Sequence, residues 1–171
     1  MNPPAAFAHR EEKMDIRELF LKQKEVTRKR TRTIYPYIPR DKVAWVPAEG
    51  ALSLGLLLRH VWHSESGVRQ VPLYDRWSYY ERRIPEGLFS ILGEVADIDY
   101  EIEMLEKTHK ETMDLVAQMP AERFEQEFVN EKFSFRRKGY VILLGIIEHE
   151  VHHRAQLLTY LRILGTPWPG H

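Results

Sequence analysis

From Arg137 to Leu164 the chain runs without a proline and sets apolar residues at steps of three and four, the signature of a long helix with one buried stripe. The stripe reads Ile142, Ile146, His149, His153, Gln156 or Leu157, Tyr160 and Leu164. Gly165 stands where a C-terminal cap belongs, and Pro167 and Pro169 prevent continuation. A helix this long with an apolar stripe has to bury it against other helices. The stripe is interrupted by two histidines four residues apart, a spacing that puts their Cβ atoms about 5–6 Å from one another on one face. Two imidazoles so placed can hold one metal ion.

The rest of the chain repeats the helical period. Ile16, Leu19, Phe20 and Gln23 open a first helix, expected to run to about Thr33 or Tyr35 and to be stopped by Pro36 and Pro39. A loop over 41–50 carries Trp45 and ends at Gly50. Ser53 is a plausible N-cap for a second helix through Leu56, Leu57, His60 and Val61, with a break expected at Ser66-Gly67. The aromatic stretch 68–84 leaves room for a short helix. A long third helix is expected from Pro85 to Pro120, with the stripe Leu88, Ile91, Leu92, Val95, Ile98, Ile102, Leu105, Met113 and Val116. A connector carrying Phe124, Phe128, Phe133 and Phe135 leads to the last helix. This pattern predicts an all-α fold, an antiparallel four-helix bundle.

Residues 1–13 read as a loose N-terminal extension, and 14–171 as a single bundle domain. Lys plus Arg and Asp plus Glu are equal at 25 each, so no overall field favours nucleic acid or an anionic membrane. The local basic run Arg28-Lys29-Arg30 with Arg32 reads as a solvated helix face. With no cysteine, disulfides, thiolate zinc sites and a cysteine nucleophile are excluded, which is compatible with a cytoplasmic protein. No stretch of about 20 apolar residues is present to span a membrane. Nor is there a G-x-G-x-x-G or G-x-x-x-x-G-K-[ST] phosphate loop.

His149-Glu150-Val151-His152-His153 also matches H-E-x-x-H, the zinc-peptidase motif. A peptidase of that kind needs a third protein ligand. The extended motif would put Gly and His at positions held here by Gln156 and Thr159, and no Asp or Glu follows Glu150. A third ligand must therefore come from upstream. His60, set among Leu56, Leu57 and Val61 on the inner face of the second helix, is the best-placed residue. Three neutral imidazoles on one divalent ion would satisfy the polar needs of all three at once. His63 is nearly one turn beyond His60, and His152 can pair with His149 at three residues' spacing. His9, His109 and His171 have no such context and are expected to be exposed.

Trp45-Val46-Pro47-Ala48-Glu49-Gly50, Ser53-Leu54-Gly55 and Leu58-Arg59-His60-Val61-Trp62-His63-Ser64-Glu65 resemble the second-helix region of the DinB/YfiT-like proteins. His149-Glu150-Val151-His152-His153-Arg154-Ala155-Gln156, followed by Tyr160 to Gly165, resembles that family's H-x-x-x-H-R-[GA]-Q helix. The resemblance covers most of the chain from Met14 to Gly170. It implies a bundle of up-down-down-up connectivity and a divalent metal, often zinc or nickel, held by His60, His149 and His153. Glu65 fits the acidic residue that the family places five positions after its second-helix ligand, which favours His60 over His63. Arg154 after His153 fits the family's H-R. The resemblance further implies a homodimer. Some members are thiol-dependent transferases and others isomerise maleylpyruvate with a thiol.

A three-histidine site leaves coordination positions open for water or substrate. The expected chemistry is therefore attack on an electrophilic small molecule by a low-molecular-weight thiol held as thiolate, the chain having no sulfur nucleophile of its own. A metal that only stabilises the bundle and a metal-dependent hydrolase are the alternatives. Glu65 and Glu150 could orient imidazoles or move protons, and Glu150 could equally face solvent. Gln156 and Tyr160 could contact substrate or close the core. Trp62, Trp77 and Tyr80 could line a pocket mouth or pack inside.

Overall fold

The structure, a computed structural model, describes residues 15–166. Helix α1, Ile16–Arg32, begins where Asp15 accepts a hydrogen bond from the Arg17 amide at 2.9 Å, and a short 3-10 turn through Pro36 follows it. Helix α2, Leu54–Val68, is capped by Ser53, whose hydroxyl accepts from the Leu56 amide. The expected break at Ser66-Gly67 does not occur. Gly67 is helical, and the Tyr79 side chain packs where a β-carbon would stand. The glycine answers a close approach, not a turn. Gly67→Ala should destabilise the protein by about 1–3 kcal/mol through overpacking, less the roughly 1 kcal/mol that alanine gains in a helix. Urea unfolding measures the balance, and a more stable variant would show that Tyr79 gives way freely.

Helix α3, Gln70–Tyr74, closes with Asp75 in a left-handed conformation. The long third helix expected from Pro85 is not one helix. Pro85 lies near the end of α4, Ser78–Glu86, which stops at Gly87 with φ 81°; α5, Leu88–Leu92, stops at Gly93 with φ 65°. Such backbone angles cost little only for glycine, so two glycines overrule an apolar period that runs through them. Helix α6, Ile98–Ala117, starts afresh where Asp97 accepts from the Asp99 amide. Ile91 and Leu92 pack with Tyr79 in a separate apolar cluster.

The phenylalanine connector folds into α7, Ala121–Glu125, and an antiparallel hairpin of β1, Glu127–Asn130, and β2, Phe135–Lys138, paired Glu127 to Lys138 and Asn130 to Phe135. Phe128 is buried against Val71 and Ile142, and Phe135 packs on the same cluster. Helix α8, Gly139–Ile163, ends at Gly165 in the left-handed region, as the cap pattern predicts.

The described chain is mostly helical, and its long helices meet in a ring: α1 against α6 and α8, α2 against the same two. One apolar cluster joins Ile34, Ile38, Leu57, Leu105 and Leu161, and another joins Phe20, Val116, Phe124, Leu143 and Ile146. Between them along α1 and α8 lie Lys24, Arg28 and Glu150, all buried. Here the reading of the basic run as a solvated face fails for Arg28, which is fully buried. It sits four residues from Lys24 and eight from Phe20, on the inward stripe of α1. No helix among the described residues is long and apolar enough to cross a membrane.

Candidate metal centre

Helices α2 and α8 bring His60, His149 and His153 to one point. His149 Nε2 stands 3.0 Å from His60 Nε2 and 3.0 Å from His153 Nε2. The three are the one group of candidate ligands of this kind among the described residues. His60 and His153 are buried and His149 is half-buried, so access to the cluster is past His149.

Each outer nitrogen fixes what the inner one can do. His153 Nδ1 donates to Gln156 Oε1 at 2.6 Å, because a carbonyl oxygen can only accept, and its Nε2 is therefore a bare lone pair in the neutral ring. His60 Nδ1 lies 3.1 Å from the Ser64 hydroxyl, which in turn meets the Tyr79 hydroxyl at 2.8 Å. Burial, and then the neighbouring His149 and His153, pull the His60 imidazole down to about 3. Burial, then His153 and Arg83, do the same to His149, also to about 3. All three rings are neutral near pH 7 when nothing is bound to them.

With neutral rings, the two 3.0 Å contacts at His149 Nε2 cannot both be good hydrogen bonds. If His149 Nε2 carries the proton, it points at one neighbour only. If it is bare, it faces the bare His153 Nε2. A divalent cation removes the conflict, and ligands about 2.0–2.1 Å from zinc stand roughly 3 Å or slightly more from each other. The donor set fits a divalent ion.

Behind the histidines lies a buried ion cluster. Lys24 Nζ reaches Glu65 at 2.7 Å and Glu150 at 2.6 Å, and Arg28 pairs with the same two carboxylates at 3.3 and 3.0 Å. The Thr31 hydroxyl donates to Glu150 at 2.7 Å. Burial alone would raise both carboxyls. Lys24 and Arg28 outweigh it, holding Glu65 below its ordinary range and Glu150 at about 2. Neither glutamate hydrogen-bonds a histidine of the cluster: Glu65 follows Ser64 and Glu150 follows His149, each turned to the α1 cations. Glu150 does not face solvent.

His63 stands apart, packed beside Trp62 and Tyr79, and His152 is exposed. His109 corrects an expectation. It is buried, and its Nε2 meets Glu25 at 2.8 Å, because α6 turns that face towards α1. His9 and His171 lie outside the described residues. Gln156 orients His153, while Tyr160 donates to the Leu52 carbonyl and closes the core beside Trp45. Trp62 donates to the buried Glu101, which Arg59 also clamps. Trp77 meets Phe135 edge to face, and Tyr80 borders a cavity of about 310 Å³ that opens on His149. Sequence reasoning missed Ser64 as the partner of His60, and Tyr79 as the partner of Ser64. Ser64 was findable, being one helical turn beyond His60; Tyr79 comes from a different helix and left no signal.

The sequence profile of the DinB superfamily matches residues 23–157. The uncharacterized protein YjoA of Bacillus subtilis (strain 168) is 25% identical over 131 residues, which span 75% of this chain and 77% of that protein. The crystal structure of a DinB-like protein, YjoA of Bacillus subtilis, superposes with a TM-score of 0.61 at 22% identity, covering 91% of this chain and 97% of the other. That likeness extends to the fold.

Proposed function

This chain belongs to the DinB superfamily, and on that footing we propose that it is a cytoplasmic, metal-dependent transferase that takes its sulfur nucleophile from a low-molecular-weight thiol. His60, His149 and His153 would hold the divalent ion, zinc or nickel. The observation that carries the reading is the convergence of three neutral Nε2 atoms at a spacing their own hydrogen bonding cannot satisfy. When bound, such an ion would favour the thiolate form of a thiol ligand near neutral pH.

The chain's own residues supply the rest. Gln156 and Ser64 hold the outer nitrogens of His153 and His60. The Lys24–Glu150 pair fixes α8 at the residue next to His149, and the Lys24–Glu65 pair fixes α2 at the residue after Ser64, which bonds His60. The cavity beside His149 offers space for an electrophile. With no cysteine in the sequence, the attacking sulfur has to arrive with a cosubstrate. We also read the helix ring as an up-down-down-up bundle. In support, Arg32 meets Glu106 while Arg17 meets Met119, making α1 and α6 antiparallel. Arg59 meets Glu101 while Arg69 meets Glu111, making α2 and α6 parallel.

Gln156→Ala is expected to weaken metal binding roughly 10–100-fold, the usual cost of removing a ligand's hydrogen-bond partner. Competition with a chromophoric chelator measures it, and an unchanged affinity would show that His153 needs no support. The transferase reading itself is tested by incubating metal-loaded protein with a panel of cellular thiols and a chromogenic electrophile. Metal- and thiol-dependent conjugation is the expected result. Turnover without added thiol would point to a hydrolase, and large metal-dependent stabilisation with no thiol binding would point to a structural ion.

A further inference from the structure

The cavity beside His149 is built from four separate elements, and its chemistry is uneven. Helix α2 contributes Val68, helix α4 Tyr80 and Arg83, strand β2 Phe135 and Arg137, and α8 Gly145 ahead of His149. Tyr80 and Phe135 pack 5.5 Å apart between ring centroids, and the Arg137 guanidinium lies 5.8 Å from the Phe135 centroid. Burial, and then Tyr79, push the Tyr80 phenol up to about 12, so the aromatic wall is uncharged.

The two guanidiniums are not used up by the protein. Among the described residues Arg83 has no ion pair, and Arg137 donates only to the neighbouring Arg136 carbonyl at 2.8 Å. Arg83 is close enough for its charge to bear on both His60 and His149. Two acidic residues also border the cavity. Glu65 is already matched by Lys24 and Arg28, which leaves Glu148 alone against two arginines.

Gly145 carries the last observation. It lies inside a 25-residue helix, one turn before His149, and a β-carbon added there would meet nothing within 4 Å. An interior helical glycine costs roughly 0.5–1 kcal/mol relative to alanine. No neighbour demands that cost here. The missing side chain instead keeps the cavity floor open.

We infer that the cavity between α2, α4, β2 and α8 receives a small molecule with an aromatic or apolar body and a carboxylate held by Arg83 and Arg137, its other end reaching His149. This names the substrate class of the site proposed above and rests on that reading. The guanidinium fork suits a carboxylate, and the hydrogen bonds it makes are charge-assisted.

Benzoate is the probe, with benzamide as the uncharged match of the same shape. Titration calorimetry of the full chain, with and without added zinc, should show benzoate binding about tenfold tighter than benzamide, the worth of roughly one charge-assisted contact. Arg83→Gln and Arg137→Gln should each remove most of that preference and leave benzamide unchanged. Gly145→Leu should abolish binding of both by filling the floor. Equal binding of the two probes, a preference surviving both arginine replacements, or a Gly145→Leu protein that binds normally would each overturn the inference. Zinc content is read on the same samples: native protein that takes up no zinc defeats the metal reading, while the benzoate comparison still decides whether the cavity recognises a carboxylate.

Discussion

Glu150→Ala is expected to destabilise the fold by about 3–5 kcal/mol, a large share of the roughly 5–15 kcal/mol that keeps a domain folded. The carboxylate is buried and receives Lys24 at 2.6 Å, Arg28 at 3.0 Å and the Thr31 hydroxyl at 2.7 Å. Its removal leaves two fully buried cations with Glu65 as their one buried counter-charge, the half-exposed Glu106 standing 3.7 Å from Arg28. The magnitude comes from the uncompensated charge and not from the worth of the pair, since a buried ion pair as a whole returns little net stability against its desolvation. Urea unfolding measures the loss. The exposed Lys110–Asp114 pair is the control: Lys110→Ala should leave the midpoint where it was. If the two replacements cost the same, the cluster holds nothing together.

Acid should reproduce the Glu150 effect. Its folded-state value, about 2, lies below the ordinary 4.5, so between these values the unfolded chain binds more protons than the folded one. The contribution is complete above about 4.5 and is lost as the pH falls towards 2. Native protein should therefore lose stability across that window more steeply than Glu150→Gln, which has no proton to take up there.

The second large effect is on metal binding. His60→Ala, His149→Ala and His153→Ala should each cost well beyond the roughly 100-fold that marks loss of a ligand's supporting partner, because a third of the protein donor set is gone. His63→Ala and His152→Ala should bind as native, His63 packing beside Trp62 and His152 facing solvent. Inductively coupled plasma analysis after dialysis gives the stoichiometry. Metal retained in His60→Ala but lost in His63→Ala would sink the assignment. The variants should remain folded, since the Lys24 cluster and both apolar clusters are untouched.

How far the site was readable follows from where each residue lies. His149 and His153 share one helix, so their spacing alone places them on one face. His60 was readable because its neighbours Leu57 and Val61 mark an inward stripe. Gln156, three residues after His153, lay on the same stripe, though whether it would touch substrate or core was open. Glu150 and Arg28 were harder. A charge on a helix reads as solvated unless a partner on another helix is known, and the partner of each comes from over a hundred residues away.

The sequence by itself determined the helical character of the chain, the caps at Ser53 and Gly165, and the pair of histidines aligned on α8. These are local properties, set by backbone periodicity and by hydrogen bonds spanning a few residues. Only the tertiary structure decided that Gly87 and Gly93 break the third apolar run, that the phenylalanine connector pairs into a hairpin, and that Lys24 and Arg28 turn inward. It alone also brought Arg83 and Arg137 to one cavity. Those outcomes depend on which surfaces meet. A buried charge is tolerable only where another helix brings its counter-charge, and no stretch of chain records that meeting in its own pattern.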